Sequence, residues 1–175
     1  QPILDAYDFG SFQTVVDIGG GSGLQLAAAL QRHPALHGIL FDLPAVAERA
    51  RATVADLGLS ERCRVEGGDF FASVPAGADA YVLRHIVHDW QDLEAATLLR
   101  NCRDAMAPGG KVLVMESVIP GANEPCFGKW LDLMMLLVGG RERTEEEYRR
   151  LFGEAGLTLN RIVPTAAEIS ILEGV

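Results

Sequence analysis

The chain has 175 residues, 49% of them hydrophobic, enough for one domain with a sizeable core. Its formal net charge is −9 and it carries no Lys/Arg run, so no basic face is available for a nucleic acid; no apolar run is long enough to span a bilayer. Cys63, Cys102 and Cys126 are odd in number and far apart, with no C-x-x-C, which fits reduced thiols and a cytoplasmic location.

In chain order, Gln1 to Tyr7 reads as the end of a preceding helix. A β-branched strand at Thr14–Ile18 runs into Gly19-Gly20-Gly21-Ser22-Gly23, and a helix over Leu24–His33 stops before Pro34. A strand at Gly38–Phe41 is followed by a helix that Pro44 opens and Gly58 ends. Strands follow at Cys63–Glu66 and Ala80–Leu83. Asp92 is a candidate N-cap for a helix over Leu93–Met106, which places Ala95, Leu98, Leu99, Cys102 and Met106 on one face. Pro108-Gly109-Gly110 turns into a strand at Lys111–Glu116, Gly121–Pro125 is a loop, and Phe127–Val138 is an apolar helix. Thr144-Glu145-Glu146-Glu147 is a capping box; the helix it opens turns Tyr148, Leu151, Phe152 and Ala155 inward and ends at Gly156. Leu157–Val163 and Glu168–Leu172 close the chain as a strand pair. Short, mostly unalternated apolar strands separated by helices predict an α/β fold, a Rossmann-like doubly wound and mainly parallel sheet with an antiparallel C-terminal finish, in one domain over residues 1–175.

The stretch from Asp17 to Gly23 has the form D-x-G-x-G-x-G. Four glycines in five residues allow tight turns and close approach of a ligand to the main chain, a use that offsets their entropic cost. A dinucleotide fingerprint would need a further glycine where Leu26 stands, which argues against a nicotinamide oxidoreductase, and without G-K-[ST] there is no phosphate-cradling loop of the Walker type. The form resembles the first motif of S-adenosylmethionine-dependent methyltransferases. In doubly wound sheets ligands sit at the carboxyl ends of the strands, so the residues at those ends are the candidate site. Asp42 lies nineteen residues after Gly23, about where an acid grips ribose hydroxyls. Asp69 could accept from an adenine amino group and Phe70 could pack on its ring. Singly these could be a helix cap, a turn acid and a core phenylalanine.

Taken together, Val16 to Gly23, Phe41-Asp42-Leu43-Pro44, Gly67-Gly68-Asp69-Phe70-Phe71, His88-Asp89-Trp90 and Gly139-Gly140-Arg141-Glu142-Arg143-Thr144 resemble the catalytic domain of the plant caffeate-type O-methyltransferases and their bacterial relatives that decorate aromatic natural products. The resemblance covers nearly the whole chain and implies the class I methyltransferase fold. It implies S-adenosylmethionine as cofactor, with S-adenosylhomocysteine as product, held by Gly19, Asp42, Asp69, Phe70 and Arg84, with Gly21, Gly23 and Leu43 from the same motifs. Arg84 stands where the family often has lysine; both supply a cation, with different geometry.

Methylating a hydroxyl needs alignment of the acceptor oxygen and removal of its proton. A phenol has a pKa of about 10, so a neutral histidine is a suitable base, and His88 is the candidate. The resemblance places Glu116 and Glu142 beside it, where one carboxylate would fix the tautomer and stabilise the imidazolium. Glu142 alone would pass as a surface charge; His85 is left as structural. Without H-E-x-x-H or a Cys cluster the chain reads as metal-independent. Met134 and Met135 are candidates for an acceptor pocket, with plain core packing nearly as good an account.

The expected partner is a small aromatic or polyketide-like hydroxyl acceptor. A cofactor-binding fragment without turnover is the alternative. The resembling family carries an additional N-terminal helical domain that forms a homodimer and closes over the acceptor, and nothing in the chain corresponds to it. Met134 and Met135 are therefore both expected to be partly exposed.

Overall fold

The computed structural model describes residues 2–121 and 124–175. Part of the expected Gly121–Pro125 loop, and Gln1 of the expected N-terminal helix end, lie outside them. Helix α1 (Pro2–Ala6) precedes β1 (Thr14–Ile18), α2 (Leu24–Arg32), β2 (His37–Asp42), α3 (Pro44–Asp56), β3 (Cys63–Gly67) and β4 (Ala80–Arg84). A 3-10 turn (Val87–Asp89) leads to α4 (Asp92–Ala105), β5 (Lys111–Glu116), β6 (Val118–Ile119), α5 (Phe127–Met135), β7 (Arg143–Thr144), α6 (Glu145–Glu154), β8 (Leu159–Pro164) and β9 (Ser170–Gly174). Among the described residues no helix is long and apolar enough to cross a membrane.

The sheet order is β3-β2-β1-β4-β5-β9-β8. The first five strands run parallel, and β9 and β8 are antiparallel additions, as the sequence predicts. Strand alternation divides the core in two. Val15, Leu40, Val82 and Leu113 face a layer with Leu26 and Leu30 of α2 and Val54 of α3. Val16, Leu83 and Val114 face a layer with Leu98 and Leu99 of α4 and Tyr148 and Phe152 of α6. Both faces are covered, which is why the central strands read as unbroken apolar runs.

Two expectations are corrected, and one feature is new. Asp92 does not cap α4: it is the first helical residue, and Gln91 at the cap makes no side-chain cap bond. Asp92 is occupied instead by the Arg143 guanidinium. Helix α5 ends at Met135 rather than Val138, because the chain turns there and the Gly140 N–H donates back to the Met135 carbonyl at 2.9 Å. The parallel pair β6–β7 was not expected at all; two-residue strands carry no periodicity to read. The capping box is present in full, with Thr144 and Glu147 exchanging bonds at the start of α6.

Candidate active site

The strand order reverses between β1 and β4, and the residues at the carboxyl ends of β1 to β5 meet there. Gly19 holds φ +66° and donates its N–H to the Phe41 carbonyl at 2.8 Å. A Cβ at Gly19 would collide with the Ile86 side chain, so glycine lets the turns after β1 and β4 close on each other. Gly21 donates to Asp42 Oδ2 at 2.9 Å, Leu43 donates to Asp42 Oδ1 at 2.7 Å, and Gly23 leads into α2 at φ +79°. Each carboxylate oxygen has a second lone pair, so Asp42 keeps acceptor capacity toward a ligand.

Asp69 Oδ1 accepts from the Phe71 N–H at 2.9 Å, and Asn101 ties down the carbonyls of Phe70 and Phe71. Phe70, Phe71 and Trp90 pack edge to face. Gly19, Asp42, Leu43, Asp69, Phe70 and Ile86 line a cavity of about 300 Å³. Beyond Gly19 a second depression of about 390 Å³ is lined by Asp17, Ser22, Gln25, Arg84 and His85. Arg84 donates to Gln25 Oε1 at 3.0 Å. Asp17 is 4% exposed; burial pushes its carboxyl up to about 7, with Arg84 opposing the rise and Asp42 adding to it. Acceptors, an aromatic wall and a cation around a split crevice fit an adenosyl amino acid. All the expected cofactor residues converge here except that Gly21 and Gly23 shape the loop rather than line a cavity.

His88, Glu116 and Glu142 are brought together, and all three are buried. His88 follows β4, Glu116 ends β5 and Glu142 precedes β7. The register pairs Val118 with Arg143, so the small β6–β7 sheet sets Glu142 beside the end of β5. Glu116 Oε1 accepts the backbone N–H groups of Ile86, Val87 and His88 at 3.0, 3.0 and 3.3 Å, pinning the turn that carries the imidazole. His88 Nδ1 lies 2.7 Å from Glu142 Oε1. A carboxylate only accepts, so Nδ1 carries a proton, and in the neutral ring the lone pair is on Nε2. Burial lowers the imidazole pKa, but the bond to Glu142 and the charges of Glu116, Glu142 and Asp89 together raise it above its ordinary value.

Several residues that hold this group were not singled out in the sequence. Arg143 is fully buried and donates to Asp92 and to the carbonyls of Val87 and Trp90. Asp132 accepts the Glu142 N–H at 2.8 Å, and the Arg141 N–H donates to the His88 carbonyl at 2.7 Å. An acid alone in an apolar helix was the available signal for Asp132, since such a group needs a partner. The methionine pair is split. Met134 is 61% exposed as expected, whereas Met135 is 7% exposed and packs on Gly140. Adjacent helical residues point about 100° apart, which lets one methionine face out while its neighbour faces in.

The chain matches the O-methyltransferase domain family over residues 1–158. It is 49% identical over 172 residues to a phenazine O-methyltransferase of Lysobacter antibioticus, covering 98% of this chain and 50% of that protein. It is 44% identical over 158 residues to an aclacinomycin 10-hydroxylase of Streptomyces purpurascens, covering 89% and 42%. An O-methyltransferase from neocarzinostatin biosynthesis, solved with S-adenosylmethionine and 2-hydroxy-5-methyl naphthoic acid, superposes with a TM-score of 0.91 at 42% identity, covering 99% of this chain and 51% of that one. The chain spans about half the length of the curated relatives it matches. Its doubly wound sheet is the class I methyltransferase fold, and by the extent and identity of these matches the chain belongs to the O-methyltransferase domain family.

Proposed function

We propose that the chain is the cofactor-binding catalytic part of an enzyme that methylates a hydroxyl of a small aromatic or polyketide-like natural product, with His88 as general base. One observation carries the reading: a buried imidazole beside the crevice has Nδ1 fixed on Glu142 and Nε2 free to accept a proton. The fold alone would not suffice, since a relative of the same family is named a hydroxylase.

Asp42 would hold the ribose hydroxyls, Asp69 the adenine amino group and Phe70 its ring, with Gly19 giving close approach and Arg84 a cation beyond it. S-adenosylmethionine supplies, when bound, a methyl group already activated on a sulfonium. His88 Nε2 takes the hydroxyl proton as the acceptor oxygen attacks. Glu142 keeps the Nδ1–H and stabilises the imidazolium; Glu116 adds a second negative charge and holds the turn. This base work needs no metal. The relatives are about twice as long, and α5 and the turn after it leave Trp130 70% and Leu137 87% exposed. We read that face, with Met134, as the acceptor side, completed by an N-terminal helical domain that also makes a homodimer.

Calorimetry tests the cofactor assignment. S-adenosylhomocysteine should bind and NAD should not, and Asp42→Ala should weaken binding strongly while the fold survives. A screen of phenolic acceptors read by mass, in the full-length protein, tests the transfer. Cofactor binding with no product from any acceptor would return the reading to a binding module, and unchanged affinity in Asp42→Ala would remove the ribose role.

A further inference from the structure

His85 has no part in the mechanism above. Among the described residues it is the one non-glycine residue with positive φ, at +53°. Its Nδ1 lies 3.5 Å from Glu116 Oε2, and the same oxygen lies 3.4 Å from His88 Nδ1. One ligand atom from each of the three residues falls within 4.8 Å of the others. Glu116 is fully buried. Its Oε1 is taken by three backbone donors, and its Oε2 has no hydrogen-bond partner; Glu142 Oε2 is in the same condition.

A buried acceptor left without a donor is costly. Separations of 3.4 and 3.5 Å are long for hydrogen bonds. They match neighbouring ligands on a tetrahedral cation, which stand about 3.4 Å apart when metal–ligand distances are about 2.0–2.2 Å. Two imidazole nitrogens with carboxylate oxygens suit zinc and similar transition cations rather than magnesium or calcium. The Glu116 and Glu142 carboxylates together balance a divalent charge. The His85 side chain is 38% exposed and gives the cation a way in.

We propose that His85, His88 and Glu116 form an inhibitory site for a zinc-type divalent cation, with Glu142 or a water as the fourth ligand. A neutral imidazole has one N–H and one lone pair. With the N–H on Nδ1, directed at Glu142, the lone pair is on Nε2, where a base needs it. A cation at this site takes the Nδ1 lone pair. The proton leaves Nδ1 for water and the ring takes one back from water at Nε2, so one N–H bond breaks, one forms, and the ring stays neutral. Nε2 is then a donor and has nothing with which to accept a hydroxyl proton. Asp42 and Asp69 are untouched, so the contacts proposed for the ribose and the adenine remain. The site itself is independent of the role of His88; only the inhibition rests on its being the base.

Cobalt(II) is the first probe. One equivalent should give the intense visible bands of a four-coordinate site, and zinc should displace it while magnesium should not. Weak bands of a six-coordinate aqua-type ion would overturn the proposal. His85→Gly is the matched variant, because glycine tolerates the positive φ. It should lose the cobalt spectrum yet keep its folded circular dichroism spectrum; an unchanged cobalt spectrum would remove His85 from the site. Histidine nitrogen NMR gives a readout apart from activity, since zinc should move the His88 proton from Nδ1 to Nε2. In the active enzyme, stoichiometric zinc should lower methyl transfer by about tenfold or more, reversibly with EDTA. That ratio should collapse toward one in His85→Gly. A four-coordinate spectrum with uninhibited transfer would uphold the site and count against His88 as the base.

Discussion

At the amino end of β5, Glu173 of the neighbouring β9 accepts from Tyr7, Lys111, Asn160 and Arg161 at 2.5, 3.0, 2.7 and 3.0 Å. At the carboxyl end of the same strand, Glu116 spends one oxygen on three backbone donors and leaves the other without a partner. Both glutamates are buried. Burial would push the Glu173 carboxyl up, but its four donors bring it down to about 2. Asp17, also at a carboxyl end, has no such saturation and is pushed up to about 7. The difference separates a charge that holds the fold from charges kept available for something else. Glu173 fastens β5, β8 and the residue that follows α1 into one unit. The carboxyl-end acids keep unused acceptors at the end of the sheet where the proposed site lies.

Three substitutions test that separation, the largest effect first. His88→Ala should lower methyl transfer in the active enzyme by on the order of 10²-fold or more. Its cofactor affinity should change little and the variant should remain folded. A mutant that keeps most of its turnover on a phenolic acceptor is not missing its base.

Glu173→Gln should do the reverse, costing roughly 2–3 kcal/mol of stability at pH 7 by chemical denaturation and leaving the cofactor site alone. The sign follows from the depressed pKa. The contribution is present above the ordinary value of 4.5 and is lost as pH falls from there toward about 2. Wild type and variant should therefore converge in acid. A constant difference across that window would show that packing, not charge, accounts for the loss.

Asp17→Asn gives the smallest effect and the opposite direction. The folded pKa of about 7 exceeds the ordinary 3.8, so the unfolded chain ionises first and the fold loses stability as pH rises between those values. Removing the charge should leave stability at pH 4 unchanged and raise that of the ligand-free protein at pH 8 by on the order of 1–2 kcal/mol, while weakening the cofactor. Equal melting curves at pH 8 would mean that Arg84 already neutralises the acid.

The amino-acid sequence carried the frame well. The β1 strand, its glycines and α2 are legible because turn chemistry and apolar runs are local signals, and the acids at strand ends follow from the topology. The meeting of His88 with Glu116 and Glu142 was legible only through a family resemblance, since the three come from distant segments joined by the two-residue strands β6 and β7. Arg143 looks like surface charge in the sequence and is fully buried because Asp92 and two carbonyls receive it. The left-handed backbone of His85 has no local signature, because nothing in its neighbours demands it. Met135 was misjudged because its facing depends on where α5 ends, and that depends on the Gly140 turn.

That turn has a consequence for how such enzymes diversify. A side chain at Gly140 would strike the His88 carbonyl, Arg141 is bonded to the same carbonyl, and Met135 packs against the turn from α5. The helix that presents Met134 and the loop that presents His88 are thus mechanically one piece. On the proposed function, evolution toward a new acceptor would be channelled to the outward positions of α5, such as Leu133 and Met134, where a change would alter what is greeted without displacing His88. A library built on those positions should keep a working base in most of its members, and one built on Gly140 should lose it in nearly all.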